Sequence, residues 1–380
     1  MLSTLAISGY RSLVDVVMPL GPLTVVTGAN GAGKSNLYRA LRLLAAAGRG
    51  GTVGAIAREG GLDSVLWAGP ESPKEGVPAQ GTRRTRPVSV RLGFAGDGLG
   101  YLLDLGLPQA SQDSPFLRDP EIKREQVFTG PFARPATLLV DRNRAGVRVR
   151  GDGWRSLDQP MGTGQSVLLD LADGGAQPEL VSLRHDMERW RFYDHFRTDE
   201  TAPARLPRVG TRTPWLSDDG ADLAAVWATL RDAGAGVEPD AAVEHAFPGA
   251  RVEIDVLDGV FLLRLRQPGL LRSLSAAELS DGTLRFLLLT AALLPAAPPP
   301  LIIVNEPEAS LHESLLEPLG ALLAAAAART QVVVVTHAAP LRRSLERAGG
   351  EIVELVSQGA GTRILGQLPL ERPAWHWPSR

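Results

Sequence analysis

Three short apolar stretches open the chain, Leu5–Ser8, Val14–Met18 and Leu23–Thr27, each bounded by polar or turn-forming residues. Their length and β-branched content predict strands. A helix signal follows at Asn36–Leu44, with apolar side chains at 37, 40, 41 and 44, the spacing of a single helix face. Residues 46–82 are rich in Gly and Pro and predict loop with little regular structure. Alternation then prevails: Val88–Phe94 and Tyr101–Leu107 flank Ala-Gly-Asp-Gly, and Ala136–Asp141 and Gly146–Arg150 flank Arg-Asn-Arg-Ala. Much of 85–155 therefore predicts antiparallel sheet built from hairpins. Pro178–His195 has helical apolar spacing, 198–220 reads as a polar loop, Asp222–Ala233 as helix, and Arg251–Val256 with Val260–Leu265 as a hairpin about Leu-Asp-Gly.

The last third changes period. A helix at Leu284–Leu294 leads to an all-apolar strand, Leu301–Val304, then a helix at Glu313–Ala328, a second apolar strand at Gln331–Val335 and a helix at Pro340–Ala348. A hairpin (Ile352–Val356, Arg363–Leu365) and an irregular tail from Arg372 finish the chain. Alternating helix and strand is the signature of an α/β domain, and uninterrupted apolar strands imply a sheet covered on both faces.

Between the Leu23–Thr27 strand and its helix lies Gly28-Ala29-Asn30-Gly31-Ala32-Gly33-Lys34-Ser35. It fits G-x-x-x-x-G-K-[ST] at every fixed position and in the required strand–loop–helix context. Glycines let backbone N–H groups close around a phosphate at the positive end of a helix. Lys34 is placed to reach β/γ-phosphates and Ser35 to offer its hydroxyl to Mg²⁺. Three further motifs accompany it. Leu301–Val304 ends in Asn305-Glu306-Pro307-Glu308, acids where they can hold Mg²⁺ through water and activate an attacking water, with Glu306 as the general-base candidate. Leu279-Ser280-Asp281-Gly282-Thr283 opens an apolar helix and offers an anion site at its start. Val332–Val335 ends in Thr336-His337, a histidine able to contact a γ-phosphate. Ala309-Ser310-Leu311-His312 follows the acidic motif and is a candidate surface for a partner subunit.

The order of these motifs resembles the ABC-type ATPase heads of the RecF, structural-maintenance-of-chromosomes (SMC) and overcoming-lysogenization-defect (OLD) group, and stand-alone bacterial ATPases of that group. The opening Ile7-Ser8-Gly9-Tyr10-Arg11-Ser12-Leu13 resembles their first strand. The resemblance covers about residues 1–45 and 270–365 with specific motifs and the middle only loosely. It implies an α/β P-loop NTPase of ABC-ATPase type, with an N-terminal antiparallel β element and an inserted mixed α/β lobe. The head would be split over 1–160 and 270–380, the helical and mixed lobe spanning 161–269. It implies ATP and Mg²⁺ as cofactors. Arg11, Asn30, Gly31, Gly33, Lys34, Ser35 and Asn36 would bind nucleotide in cis, Ser280 and Gly282 would cap the γ-phosphate of a second copy, Glu306 and His337 would be catalytic, and Ser35 and Asn305 would serve the metal. It implies a homodimer closed by ATP and released by hydrolysis.

Two departures stand out. Such heads carry an aspartate where this chain has Asn305. Amide for carboxylate keeps an acceptor but removes a charge worth roughly 1 kcal/mol in water, and about 4 at intermediate dielectric, at 4–5 Å per unit of metal charge. Weaker Mg²⁺ retention and slow turnover follow, with Glu306 or Glu308 compensating, and Asn305→Asp should tighten Mg²⁺ or raise turnover. The glutamine that ABC enzymes place between their lobes has Gln165 as its candidate, with Gln80 and Gln112 in loops.

Composition narrows the partners. The formal net charge is −2, so no global basic field announces nucleic acid. Local arginine clusters (83, 84 and 86; 142, 144, 148 and 150; 184, 189 and 191) are candidates for DNA phosphates. The absence of cysteine excludes disulfides and thiolate metal sites and agrees with a reducing cytoplasm. No signal-peptide layout or membrane-length apolar run occurs, so the chain is expected in the cytoplasm, away from membranes. A gap of about 245 residues between Ser35 and Ser280 is long for a transporter ATPase, and no coiled-coil heptads fill it as in a chromosome-structuring protein. An ATPase acting in DNA repair, recombination or surveillance is the expected function. The alternative is a nucleotide-gated switch for a separately encoded effector of phage-defence type, with Trp215, Trp375 and Trp377 as partner surface or core caps.

Overall fold

The computed structural model describes residues 1–70, 87, 89–108, 115–116, 118–171, 177–359 and 361–379. Gln80, Gln112 and the Arg83, Arg84 and Arg86 cluster lie outside the described residues. The chain forms two compact units, one of residues 1–21, 27–190 and 353–380, the other of 22–26 and 191–352.

The first unit is built on an eight-stranded antiparallel sheet. Its order is Leu13–Pro19, Leu2–Tyr10, Val90–Gly96, Leu99–Gly106, Glu121–Thr129, Leu138–Asn143, Gly146–Arg150 and Trp154–Ser156. The hairpin signals at Asp97-Gly98 and at Arg144-Ala145 each join adjacent strands. Glu121–Thr129 lies within this sheet although six of its nine residues are polar. It tolerates burial because its charges are paired: Arg124 with Asp141 at 3.1 Å, Gln126 with Asp141 at 2.8 Å, and Arg142 with Glu125 at 3.3 Å. Burying ions costs much less when they are paired in this way.

Helix Lys34–Gly48 buries Leu37, Leu41 and Leu44 along one face. Beyond it, the expectation of loop is corrected: Thr52–Arg58 and Leu62–Val65 are helices. Their glycines act as punctuation, Gly50, Gly60 and Gly61 taking positive φ between the helices, while Ile56 and Val65 are fully buried. Tertiary burial overrides weak propensity there. The helical spacing over Pro178–His195 also divides: the helix stops at Glu188 and Arg191–Tyr193 becomes a strand of the second unit. In the tail, Trp375 packs edge-on against Phe128 (6.0 Å) and against Trp377 (5.5 Å), covering Ala95, Leu102 and Leu138. The tail tryptophans thus cap core.

The second unit carries a parallel sheet. Arg191–Tyr193 pairs with Leu301–Asn305, that strand with Gln331–Val335, and the last with Leu23–Val26. Helices Asp281–Leu293, Leu316–Ala327 and Ala339–Arg347 follow in sequence as the alternation predicts. The Arg251–Leu257 and Val260–Arg266 hairpin shares one apolar cluster with Ile302 and Val332. For that reason the division into units does not run along the sequence boundaries at 160 and 270. No described helix is long and apolar enough to cross a membrane.

Candidate functional site

In the first unit the phosphate loop is glycine-dependent for a steric reason. Gly33 has φ +104, and a Cβ there would lie 2.2 Å from Thr362 Oγ1. At Gly28 a Cβ would lie 2.3 Å from the Leu355 carbonyl. Asn30 and Gly31 are exposed at the crest, and Gly31 has open space around it. The Lys34 ammonium donates to the carbonyls of Gly28 (2.7 Å) and Ala29 (3.1 Å). An ammonium has three donors, so one remains for a phosphate oxygen. Ser35 is exposed in the first helical turn, where unpaired amides favour an anion. Asn36 does not face outward: its amide donates to Ser12 Oγ at 2.9 Å, Ser12 Oγ meets Thr362 Oγ1 at 2.8 Å, and Thr362 donates to the Ala32 carbonyl at 2.9 Å. That chain of bonds holds the loop in shape. Arg11 sits at φ +48 with its guanidinium on Glu59 at 2.8 Å, beside the Tyr10 hydroxyl on the same oxygen. Burial works against the Arg11 charge, but Glu59 and Tyr10 together more than offset it and raise its pKa.

In the second unit the parallel strands bring three other predicted residues together. The Thr336 amide donates to the Val26 carbonyl at 3.0 Å, level with the strand that continues into the loop. His337 Nδ1 lies 3.3 Å from Glu308 Oε1 and 3.6 Å from Glu306 Oε1. The two acids differ in burial, and this separates their roles. The Glu306 side chain is 42% exposed, whereas that of Glu308 is 6% exposed. Glu308 Oε1 accepts from Thr336 Oγ1 (2.6 Å), the His337 amide (3.0 Å) and the Ala338 amide (3.2 Å). Glu308 is therefore a clamp on the turn that carries His337, and Glu306 is the acid that water can reach. Glu306 also has a left-handed backbone, φ +47, a conformation costing a non-glycine residue on the order of 1 kcal/mol or more. It is held from both sides: its amide donates to Val335 O at 2.8 Å and its carbonyl accepts from Arg285 at 3.2 Å.

Ser280 caps helix Asp281–Leu293, its Oγ accepting from the Thr283 amide. Gly282 has room for a Cβ, which would lie 3.6 Å from the Ser310 carbonyl. Two arginines that sequence reasoning passed over support this turn. Arg205, nearly buried, donates to the carbonyls of Ala276, Leu279 and Thr198 and to Asp281. Arg285, on the same helix as Ser280, is 1% exposed and reaches Phe196 O as well as Glu306 O. Burial lowers its pKa against the opposing pull of Glu308, Asp194 and Glu306. Its one available signal was a lone charge in an apolar run, Leu284 to Leu289.

Other candidates take structural places. Gln165 Oε1 accepts from the Gly162 amide, and its carbonyl from Arg142. His312 caps the next turn through Ser314. Arg142 is fully buried on Glu125, and Arg148 is paired with Asp141 at 2.6 Å. Arg150 donates to the carbonyls of Pro135 and Ala136, Arg184 pairs with Glu188, and Arg191 stacks on Trp215 at 4.4 Å. These arginines are engaged by the protein's own groups.

In the first unit, a glycine cradle closed to a Cβ by backbone at 28 and strained for one at 33, with a lysine that has a spare donor, suits an ATP phosphate chain. In the second unit, a buried Asn305 Oδ1 with no partner suits a water held by Mg²⁺. Residues 23–341 match the family described as "AAA domain, putative AbiEii toxin, Type IV TA system". The chain belongs to this family. The OLD nuclease of Thermus scotoductus is 48% identical over 44 residues, which is 12% of this chain and 8% of that protein, so the chain matches only a small part of that relative's length. Among solved structures, the Smc head bound to the C-winged helix domain of ScpA is 14% identical with TM-score 0.53, over 96% of this chain and 97% of that one. The Pyrococcus furiosus Smc head domain with an extended coiled coil, bound to the C-terminal domain of ScpA, is 12% identical with TM-score 0.50, over 96% and 95%. This family member thus has the α/β fold of an ABC-type ATPase head of the RecF, SMC and OLD group.

Proposed function

We propose that this chain is an ATP-gated head that closes as a homodimer around two nucleotides, hydrolyses them slowly and acts on DNA. The observation that carries the reading is the strand-end cluster of Asn305, Glu306, Glu308 and His337, with Glu306 the solvent-reaching acid. The loop amides and Lys34 bind the phosphates, and Ser35 offers its hydroxyl to the metal. Bound Mg²⁺ supplies charge neutralisation on the β/γ oxygens. Glu306 orients a water for in-line attack and takes up its proton, while His337 donates toward the γ-phosphate. Ser280 and Gly282 present a helix start to the nucleotide of the opposite copy. Asn305 contributes an acceptor that carries no charge of its own.

DNA as the substrate surface rests on the likeness to the OLD nuclease. The family description, with its type IV TA system, favours a second reading, in which the same ATP cycle switches a separately encoded effector. Light scattering on the unaltered chain and on Glu306→Gln, with and without ATP–Mg²⁺, tests the cycle: a dimer that forms only with ATP and persists in Glu306→Gln is expected. No nucleotide-dependent change in mass overturns it. Salt-sensitive retention of DNA by the trapped dimer supports the first reading, and its absence beside a stable effector complex supports the second.

A further inference from the structure

Asn305 ends its strand with a neutral amide, where the resemblance drawn from the sequence implies an aspartate. Its neighbour in the sheet is Arg191–Tyr193, which runs parallel with Tyr193 opposite Val304. Asp194 and Asn305 therefore leave the sheet side by side, and Asn305 Nδ2 donates to Asp194 Oδ1 at 2.8 Å. A carboxylate can only accept, so this bond fixes the amide with nitrogen toward Asp194 and oxygen away from it. That oxygen is buried and has no hydrogen-bond partner. Close by in sequence, Glu308 is 7% exposed and its Oε2 is buried without a partner. Buried acceptors lacking donors are unfavourable and call for a missing group. Waters held by a divalent cation are strong donors, and Mg²⁺ in such sites keeps several of them.

We propose that Asp194 and Asn305 act as a pair in place of the single aspartate: Asn305 Oδ1 accepts from a water of the nucleotide's Mg²⁺, and Asp194 supplies the negative charge and holds the amide in the accepting orientation. The proposal rests on the ATP–Mg²⁺ reading above. It also changes the expectation for Asn305→Asp. With Asp194 at hydrogen-bond distance, a second carboxylate repels the first and has no N–H with which to keep the bond that orients residue 305.

The test is a charge swap in a Glu306→Gln background, comparing the parent with Asp194→Asn, Asn305→Asp and the double variant. Two quantities are read: Mg²⁺-dependent binding of a fluorescent ATP analogue, and Mn²⁺ binding by electron paramagnetic resonance in the presence of ATP. Asp194→Asn should raise the half-saturating metal concentration about tenfold, the usual scale for losing a group that supports a metal site. Asn305→Asp alone should bring no gain, and the double variant should return to the parent value. That rescue also shows that the variants fold, Asp194 being exposed. An Asp194→Asn variant within twofold of the parent, or Asn305→Asp tightening the metal by itself, overturns the proposal while leaving the nucleotide reading intact. A parent that binds no ATP at any Mg²⁺ concentration overturns both.

Discussion

Glu308→Ala should free the turn that carries His337 without unfolding the sheet beneath it. One oxygen, Glu308 Oε1, accepts from the Thr336 hydroxyl and from the amides of His337 and Ala338, at 2.6, 3.0 and 3.2 Å. Hydrogen bonds to a charged acceptor contribute roughly 1.5–3 kcal/mol each. Three bonds sharing one atom are not additive, and water entering the space left by the side chain restores part of the loss. About 3 kcal/mol is the resulting figure for local opening, or about two orders of magnitude in the opening equilibrium. Amide hydrogen exchange reads this directly, because exchange of a locally opening segment follows its opening free energy. The His337 and Ala338 amides should lose about a hundredfold in protection, while those of Leu301–Val304 in the neighbouring strand hold theirs as the internal reference. Glu308→Gln keeps one acceptor oxygen and should fall between. A change of less than about threefold at 337–338 in Glu308→Ala would refute the clamp, since the other contact of that oxygen, His337 Nδ1 at 3.3 Å, holds neither amide.

The other expectations follow from single contacts. Lys34→Ala should abolish ATP binding in equilibrium fluorescence titration while leaving thermal unfolding nearly unchanged; retained affinity would sink the loop assignment. Gly33→Ala puts a methyl 2.2 Å from Thr362 Oγ1 at φ +104, and should cost roughly 1–3 kcal/mol, read as a lower unfolding midpoint together with lost ATP binding. Arg285→Met removes the donor to the Glu306 carbonyl and should lower ATP turnover with little change in ATP affinity; equal losses in both would mean that Arg285 supports binding and not the geometry of Glu306.

The motifs of the proposed nucleotide site could be picked out along the chain because each is local. A P-loop is eight consecutive residues between a strand and a helix, and Leu301–Val304 and Gln331–Val335 are apolar without interruption, a pattern that only a doubly covered sheet accommodates. The helices at Thr52–Arg58 and Leu62–Val65 were hidden because glycines that read as breakers sit at their ends and, at Gly54, inside the first, while burial of Ile56 and Val65 favours them in a way local propensity does not announce. Arg142 read as a surface charge for DNA, yet its partner Glu125 lies two strands' length earlier in the sequence, and no local pattern announces such a pair.

The sequence by itself determined the residue types of the candidate site: which loop has the phosphate-binding pattern, which strands end in acids and histidine, and that an amide stands where the resemblance implies an aspartate. These are statements about residue type and short spacing, and short spacing survives any arrangement of the rest. The tertiary structure decided which acid is free and which is clamped, since Glu306 and Glu308 are two residues apart and differ only in what surrounds them. It also decided who stands beside Asn305. Asp194 is more than a hundred positions away along the chain and 2.8 Å away in space, because parallel strands align residues whose sequence separation carries no signal.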